Sequence, residues 1–148
     1  MTGRSLTLSR LIAAPVAKVW RCWTDPALLP QWFGPEGYSC QTHEIDLRAG
    51  GHWLFDMTGP DGKVWPNRHR YTRMEAPHRL EFLLDSGAED EAPSEVVMTL
   101  TAEGDGTRIH YEMTFPSPAA RATAVGFGAV ELGQQTLAKL AAMAMRTG

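Results

Sequence analysis

Residues 95–113, EVVMTLTAEGDGTRIHYEM, contain two runs of alternating apolar and polar side chains joined by a glycine-containing turn. The turn predicts a hairpin in which residue 102 lies opposite residue 107, because glycine and aspartate favour tight turns. In this register one face carries only apolar and aromatic side chains: Val96, Met98, Leu100, Ile109, Tyr111 and Met113. The other face is largely polar, as in a sheet that is buried on one side. Another element must therefore cover the apolar face.

The C-terminal part of the chain is the one segment large enough to cover this face. Ser117 and Pro118 suit the N-cap and the first helical position, and helix-forming residues continue to about residue 145. The sequence therefore predicts one long helix. It contains three glycines: Gly126, Gly128 and Gly133. Because each costs roughly 0.8–1 kcal/mol relative to alanine in a helix interior, we expect close helix–sheet packing or a cavity between helix and sheet.

The rest of the chain adds more strands and a short helical region. Residues 5–12 alternate with a period of two, which predicts a first strand with one buried side. Helical spacing after Pro15 and again over 27–32 predicts two short helices. Further strands are predicted at 38–47, 52–58, 63–74 and 78–84. This order indicates a single domain over residues 1–148, an α+β fold with an antiparallel sheet and one long helix.

Composition narrows the classes of partner. The chain has 148 residues and a net charge of -3, so it lacks the basic footprint of a nucleic-acid-binding protein. No apolar run approaches the length of about 18 residues that a membrane helix needs, and the first residues contain no signal-peptide stretch. Cys22 and Cys40 have no metal-site spacing. We therefore expect a cytoplasmic protein with reduced thiols, no nucleic-acid or membrane partner and no cofactor.

The hairpin around Pro60 and Asp61 bears on a metal site. If those two residues form the turn, Trp53 and its alternate neighbours share one face, and His52 lies opposite His69 on the other. A histidine pair with a third ligand could bind a metal, but two solvated histidines are the favoured interpretation, so no metal is expected. The sequence contains no HExxH, GxSxG, P-loop or GxGxxG motif.

Four segments resemble the START-like (SRPBCC) superfamily, in the branch named after the activator of the 90-kDa heat-shock protein ATPase. They are AAPVAKVWRCWTDPALLPQWFGPEGY (13–38), DLRAGGHWLFDMTGPDGK (46–63), MEAPHRLEF (74–82) and GFGAVELGQQTLAKLAAM (126–143). The resemblance implies a helix-grip (Bet v 1/START-like) fold, in which a curved antiparallel sheet wraps around the long C-terminal helix. An internal pocket would lie between them. Phe127 stands where the family usually has tryptophan, so we expect a reshaped pocket there.

The candidate ligand-binding residues follow from this fold. Arg10 interrupts the apolar face of the first strand, where it would form a structural ion pair or anchor an acidic group of a ligand. The aromatic and apolar residues expected to line the pocket are Trp20, Trp32, Phe33, Trp53, Phe55, Tyr71, Phe82, Met98, Tyr111 and Phe127. Trp32, Phe33 and Tyr38 would either close the pocket mouth or form core at one end of the sheet.

Three functions remain open. The first is a non-enzymatic protein that binds a small hydrophobic or aromatic molecule. The second is an enzyme of the cyclase or hydrolase type, which needs an acid or base in the pocket; none is evident, although an inward-facing His69 or Asp56 would supply one. The third is a chaperone-interaction module, which only the resemblance implies. A homodimer is compatible with the resemblance.

Overall fold

The computed structural model describes residues 3–146, and within that range the chain forms seven strands and four helices. The elements are β1 (Ser5–Ile12), α1 (Val16–Thr24), α2 (Leu29–Trp32), β2 (Ser39–Ile45), β3 (His52–Thr58), β4 (Val64–Glu75), β5 (Arg79–Asp85), β6 (Ser94–Glu103), β7 (Gly106–Thr114), α3 (Pro118–Gly126) and α4 (Ala129–Arg146). The predicted strands are confirmed to within about two residues at each end.

All strand pairings in the sheet are antiparallel, and the strand order is β1-β7-β6-β5-β4-β3-β2. The predicted register of β6 and β7 is confirmed, since Ala102 lies opposite Thr107 and Met98 lies opposite Tyr111. The curved sheet and the C-terminal helix form the predicted α+β helix-grip fold. Helix α4 packs against β1, α1 and α2, so the core lies between the helices and one face of the sheet.

The predicted register of β3 and β4 is wrong by one residue. Gly59 and Lys63 close a three-residue loop: the Gly59 nitrogen donates to the Lys63 carbonyl oxygen at 2.9 Å, and Gly62 has φ +84°. Such a loop combines a type I turn with a left-handed residue, whereas the prediction assumed a two-residue turn. A slip of one residue exchanges the two faces of a strand. His69 therefore lies opposite Trp53 on the inner face, and His52 lies opposite Arg70.

The predicted single C-terminal helix is interrupted. Ser117 is the N-cap as predicted, since its hydroxyl accepts a hydrogen bond from the Ala120 nitrogen at 3.0 Å. Helix α3 ends at Gly126, and Gly128 has φ +88°, a conformation that glycine adopts without steric penalty. The chain then continues as α4. Within residues 3–146, neither of these helices nor any other is long and apolar enough to cross a bilayer.

Candidate functional site

A cavity of about 270 Å³ lies between the inner face of the sheet and the two C-terminal helices. Strand β1 and strand β7 form its floor, α3 and the first turns of α4 form its roof, and residues 33–35 form one wall. Its lining comprises Leu6, Leu8, Trp23, Phe33, Gly34, Pro35, Met57, Asn67, Leu84, Tyr111, Met113, Phe115, Ala124, Ala129, Gly133, Thr136 and Leu137.

The cavity exists because the first half of α4 presents small side chains to the sheet. Ala129, Gly133 and Thr136 line it, whereas the second half of the helix buries larger groups such as Leu140 and Met143. At Gly133 the helix approaches β1 so closely that an added Cβ would overlap the Leu8 side chain. The sequence predicted either close helix–sheet packing or a cavity at the glycines. At Gly133 the structure has both, because the helix contacts Leu8 and the cavity lies beside that contact.

The opposite end of the same space is filled by aromatic rings. Trp53 and Phe55 stack with centroids 3.6 Å apart, and Tyr71 and Phe82 pack on the neighbouring strands. Trp32 is fully buried, its ring packs against Trp23 and Phe33, and its Nε1 donates to the Cys22 carbonyl oxygen at 3.0 Å. This geometry supports the core role for Trp32.

Phe33 stands at the boundary between the filled end and the cavity. Its ring lines the cavity and also packs edge-on against Trp53 at 5.5 Å and Phe55 at 6.0 Å. Two residues of α4 hold the following loop: Lys139 Nζ donates to the Pro35 carbonyl oxygen at 3.2 Å, and Gln135 Oε1 accepts from the Glu36 nitrogen at 3.1 Å.

His69, predicted on the outer face, lies on the inner face opposite Trp53. It is 1% exposed, and burial lowers its pKa to about 3, so the ring is neutral at physiological pH. Its Nε2 atom has no hydrogen-bond partner among residues 3–146. An unsatisfied buried polar atom costs about 1–3 kcal/mol. The signal that could have located His69 is Gly62, which favours the three-residue loop.

Trp23 and Tyr111 form the polar part of the cavity wall. Their rings stack with centroids 6.2 Å apart, and both residues line the cavity. Within the described range, the Trp23 Nε1 atom is buried without a hydrogen-bond partner. Burial raises the pKa of Tyr111, which keeps its phenol protonated.

The other polar lining groups already bond to the backbone. Asn67 Nδ2 donates to the Trp65 carbonyl oxygen at 2.9 Å, and Thr136 Oγ1 donates to the Leu132 carbonyl oxygen at 3.2 Å. Of the lining residues in the part of the chain that the structure describes, none carries a formal charge. The cavity is therefore suited to a neutral, largely apolar molecule.

A groove of about 440 Å³ on the outside adjoins the cavity. Four residues line both spaces: Pro35, Met57, Asn67 and Leu84. The outer part of the groove contains aromatic and acidic side chains, among them Tyr38, Trp65 and Glu91. Of the three residues that the sequence placed at the mouth or in the core, Phe33 thus lines the cavity, Tyr38 lines the groove and Trp32 is core.

The remaining predicted site residues occupy three different environments. The filled core contains Trp53, Phe55, Tyr71, Phe82 and Met98. Trp20 packs half-buried against that core, and Arg10 lies half-buried on β1 opposite Ile109, outside the cavity lining. Phe127 is 79% exposed, because the break between α3 and α4 turns it towards solvent.

Several lining residues were not singled out from the sequence, although their periodicity places them on the inner face. Leu6 and Leu8 alternate along β1, and Met113 continues the inner face of β7.

Within residues 3–146, no group of three or more histidine, cysteine, aspartate or glutamate side chains is arranged to hold a metal ion.

The chain matches one protein-family model and resembles several solved structures. A family model described as "Activator of Hsp90 ATPase homolog 1-like protein" matches residues 13–144. The crystal structure of protein Ms6760 from Mycobacterium smegmatis is 31% identical, with 99% of this chain and 94% of that chain covered and a TM-score of 0.87.

Two further solved structures show the same likeness. Protein NE0264 from Nitrosomonas europaea is 28% identical over 97% of this chain and 95% of that chain, with a TM-score of 0.84. A protein from Arthrobacter aurescens is 26% identical over 99% of this chain and 88% of that chain, with a TM-score of 0.87. No curated protein matches the sequence.

Proposed function

This chain belongs to the family of Activator of Hsp90 ATPase homolog 1-like proteins, and we propose that it binds a small, neutral, apolar or aromatic molecule in the cavity under α4. Family membership supports either a ligand-binding or a co-chaperone-like role. The observation that favours ligand binding is the cavity of about 270 Å³ with an uncharged lining. Apolar cavities with a few polar groups are the usual form of small-molecule sites.

The volume sets the size of the ligand. An engineered apolar cavity of about 150 Å³ binds benzene. By proportion, 270 Å³ accommodates roughly ten to twelve non-hydrogen atoms, which corresponds to a molecule of two fused rings. A long fatty acid would need space beyond the cavity, such as the adjoining groove.

The lining sets the charge of the ligand. A carboxylate or an ammonium group would lose its hydration without gaining an ionic partner, because the lining residues in the described chain are all uncharged. Arg10, the anchor predicted from the sequence, lies outside this lining. We therefore expect neutral ligands to bind more tightly than their acidic analogues.

We expect the ligand to enter from solvent beside Met57 and Leu84. These residues line both the cavity and the outer groove, together with Pro35 and Asn67. Methionine side chains are flexible, and Met57 is only partly buried. The ligand would thus enter through side-chain rotation, without separation of the sheet from the helices.

A thermal-shift and calorimetric titration with naphthalene tests the proposal, with 2-naphthoic acid as the charged analogue. A ligand at 100 times its Kd stabilises the folded state by about 2.7 kcal/mol. For a domain of this size that free energy raises Tm by several degrees. A panel of neutral one- and two-ring compounds that leaves Tm unchanged and gives no heat of binding would overturn the proposal.

Two matched alanine substitutions locate the binding site. Ala129→Leu adds three carbons inside the cavity, and Ala142→Leu adds the same group to the exposed side of the same helix. We expect Ala129→Leu to weaken naphthalene binding at least tenfold and Ala142→Leu to leave it unchanged. Equal effects of the two substitutions would place the bound molecule outside the cavity.

The enzyme hypothesis gains one observation from the structure, the inward position of His69. The ring is enclosed by aromatic side chains and does not line the cavity. Since a general base must reach the proton that it abstracts, binding is the function that this geometry favours. A co-chaperone-like role would act through the outer surface, and a stimulated chaperone ATPase rate on addition of this protein would be its measurement.

A further inference from the structure

Two buried nitrogen atoms without hydrogen-bond partners among residues 3–146 belong to rings that both pack against Phe33. Trp23 packs against Phe33 with centroids 6.2 Å apart, and His69 packs against it at 5.1 Å. Among the side chains of residues 3–146, Trp23 Nε1 and His69 Nε2 are two of three buried polar atoms with no partner. The third, on Arg70, belongs to the outer face, where that side chain binds Asp85.

Such atoms are uncommon, because folded proteins satisfy most of their buried polar groups. The indole Nε1 can only donate a hydrogen bond, whereas an imidazole nitrogen accepts one when it carries no proton. The two rings also share Phe82 as a neighbour, at 6.4 Å from Trp23 and 4.4 Å from His69. The unsatisfied atoms therefore belong to one region of the core, next to the cavity.

Phe33 lines the cavity, as Trp23 does, and packs against His69, which does not line it, so Phe33 is the neighbour of His69 best placed to move. The other rings around His69 belong to strands β3, β4 and β5, namely Trp53, Phe55, Tyr71 and Phe82. Phe33 instead lies in the loop after α2, is only partly buried and is followed by Gly34 with φ +105°. A rotation of its ring would open one side of the His69 ring to the cavity.

We propose that Trp23 Nε1 and His69 Nε2 form a hidden polar subsite that binds the hydroxyl group of a small phenol when the Phe33 ring moves aside. This inference rests on the proposed function and adds the chemical class of the ligand. A phenolic hydroxyl accepts a hydrogen bond from the indole and donates one to the imidazole, so it satisfies both atoms. A carbonyl oxygen would satisfy only the indole, and a carboxylate would introduce an unpaired charge.

Burial supports the required state of the imidazole. The low pKa of His69 keeps the ring neutral at pH 7, which leaves one ring nitrogen available as an acceptor. The aromatic neighbours then provide an apolar surround for the phenol ring itself. A site built to bond a hydroxyl discriminates strongly against an analogue that lacks it.

Calorimetric titration of the protein with 2-naphthol and naphthalene at pH 7 tests the subsite, since the two probes differ only in the hydroxyl. We expect 2-naphthol to bind at least tenfold more tightly. In His69→Phe the preference should fall to about twofold or less while naphthalene affinity stays within about threefold. His110→Phe, at an exposed position on β7, should keep the full preference.

Nuclear magnetic resonance of the His69 ring gives a readout that does not depend on the folding of a variant. We expect 2-naphthol, and not naphthalene, to shift the ¹⁵N resonance of Nε2 in the wild-type protein. Equal affinity of the two probes, or an unchanged Nε2 resonance at saturation with 2-naphthol, overturns the subsite and leaves the binding function standing. Absence of binding by both probes overturns the binding function and the subsite together.

Discussion

The space between the sheet and the helices is filled at one end and hollow at the other, although both ends are lined by apolar residues. At the filled end, rings from β3, β4 and β5 pack on one another, and Leu140 from the second half of α4 is fully buried in the same core cluster. At the hollow end, Ala129 and Gly133 leave a cavity above β1 and β7. The difference teaches that hydrophobic character places a residue inside, whereas side-chain volume decides whether the interior is closed.

The helix α4 contributes to both ends, so the contrast can be examined along one element. Its cavity-lining residues lie between Ala129 and Leu137, and the buried residues from Leu140 to Ala144 follow them along the helix. Protein interiors are usually packed as densely as organic crystals. The cavity is therefore an exception to normal packing, and it lies where α4 has small side chains.

Truncation in the filled half should have the largest effect. Leu140 is fully buried, so we expect Leu140→Ala to destabilise the protein by about 2–5 kcal/mol through lost burial and a new cavity. Thr136→Ala, one turn earlier and at the cavity, should change the free energy of unfolding by less than about 1 kcal/mol. Urea denaturation measures both, and equal losses would remove the distinction between the two halves.

Acid should weaken the filled half through His69. Its folded-state pKa of about 3 lies below the ordinary value of 6.5, so the unfolded chain binds more protons between these values. The neutral His69 ring therefore makes its full contribution to the free energy of unfolding above pH 6.5. This contribution falls by about 1.4 kcal/mol per pH unit as the pH decreases towards 3. We expect a loss of about 2–3 kcal/mol between pH 7.5 and pH 4.5.

Two histidine variants distinguish the loss of stability caused by protonation of His69 from destabilisation by acid at other groups. His69→Phe should lose the slope in that pH range, whereas His110→Phe, at an exposed position, should retain it. The ion pair of Asp85 with Arg68 titrates in a lower window, because hydrogen bonding from Arg68 lowers the pKa of that carboxyl below 3.8. A parallel pH slope in His69→Phe would contradict the assignment to His69.

Enlargement should be tolerated at the hollow end and not at the filled end. Ala144 is fully buried, so Ala144→Leu is expected to cost about 1–3 kcal/mol by overpacking. Gly133→Ala requires only that the tip of Leu8 moves, and the cavity beside it gives that tip room. Because alanine favours the helix by roughly 0.8–1 kcal/mol, we expect no loss of stability. Thermal denaturation compares the two, and a larger loss for Gly133→Ala would reverse the interpretation.

The smallest effect is expected outside both regions. Phe127 is exposed at the α3–α4 junction, so Phe127→Ser should change the free energy of unfolding by less than about 0.5 kcal/mol. Naphthalene affinity should also stay the same, in contrast to Ala129→Leu. A tenfold loss of affinity in calorimetric titration would return Phe127 to the binding site.

For most strand residues the sequence predicted which side of the sheet is buried. It did not predict which buried residues line the cavity and which lie in the filled core. The β6–β7 register followed from a two-residue turn between Glu103 and Gly106. A two-residue turn was also predicted at β3–β4, where the loop has three residues with Gly62 in the left-handed conformation, and that difference of one residue decides the face of His69. Alternation placed Trp53 and Tyr111 on the same inner surface. Which of them meets a cavity depends on the distant residues of α4 that lie above each, and local periodicity does not contain that information.

The strand order separates β1 from β2, although they are neighbours in the chain, and pairs β1 with β7. Ser5 lies opposite Thr114 and Ile12 opposite Thr107, so about one hundred residues must be synthesised between the two partners. At roughly 5–20 residues per second, β1 leaves the ribosome roughly 5–20 s before its partner strand exists. The floor of the cavity is thus the last part of the sheet to form during synthesis. Until then Leu6, Leu8 and Ile12 present an unpaired apolar strand, the segment of this fold most in need of protection from association with other chains.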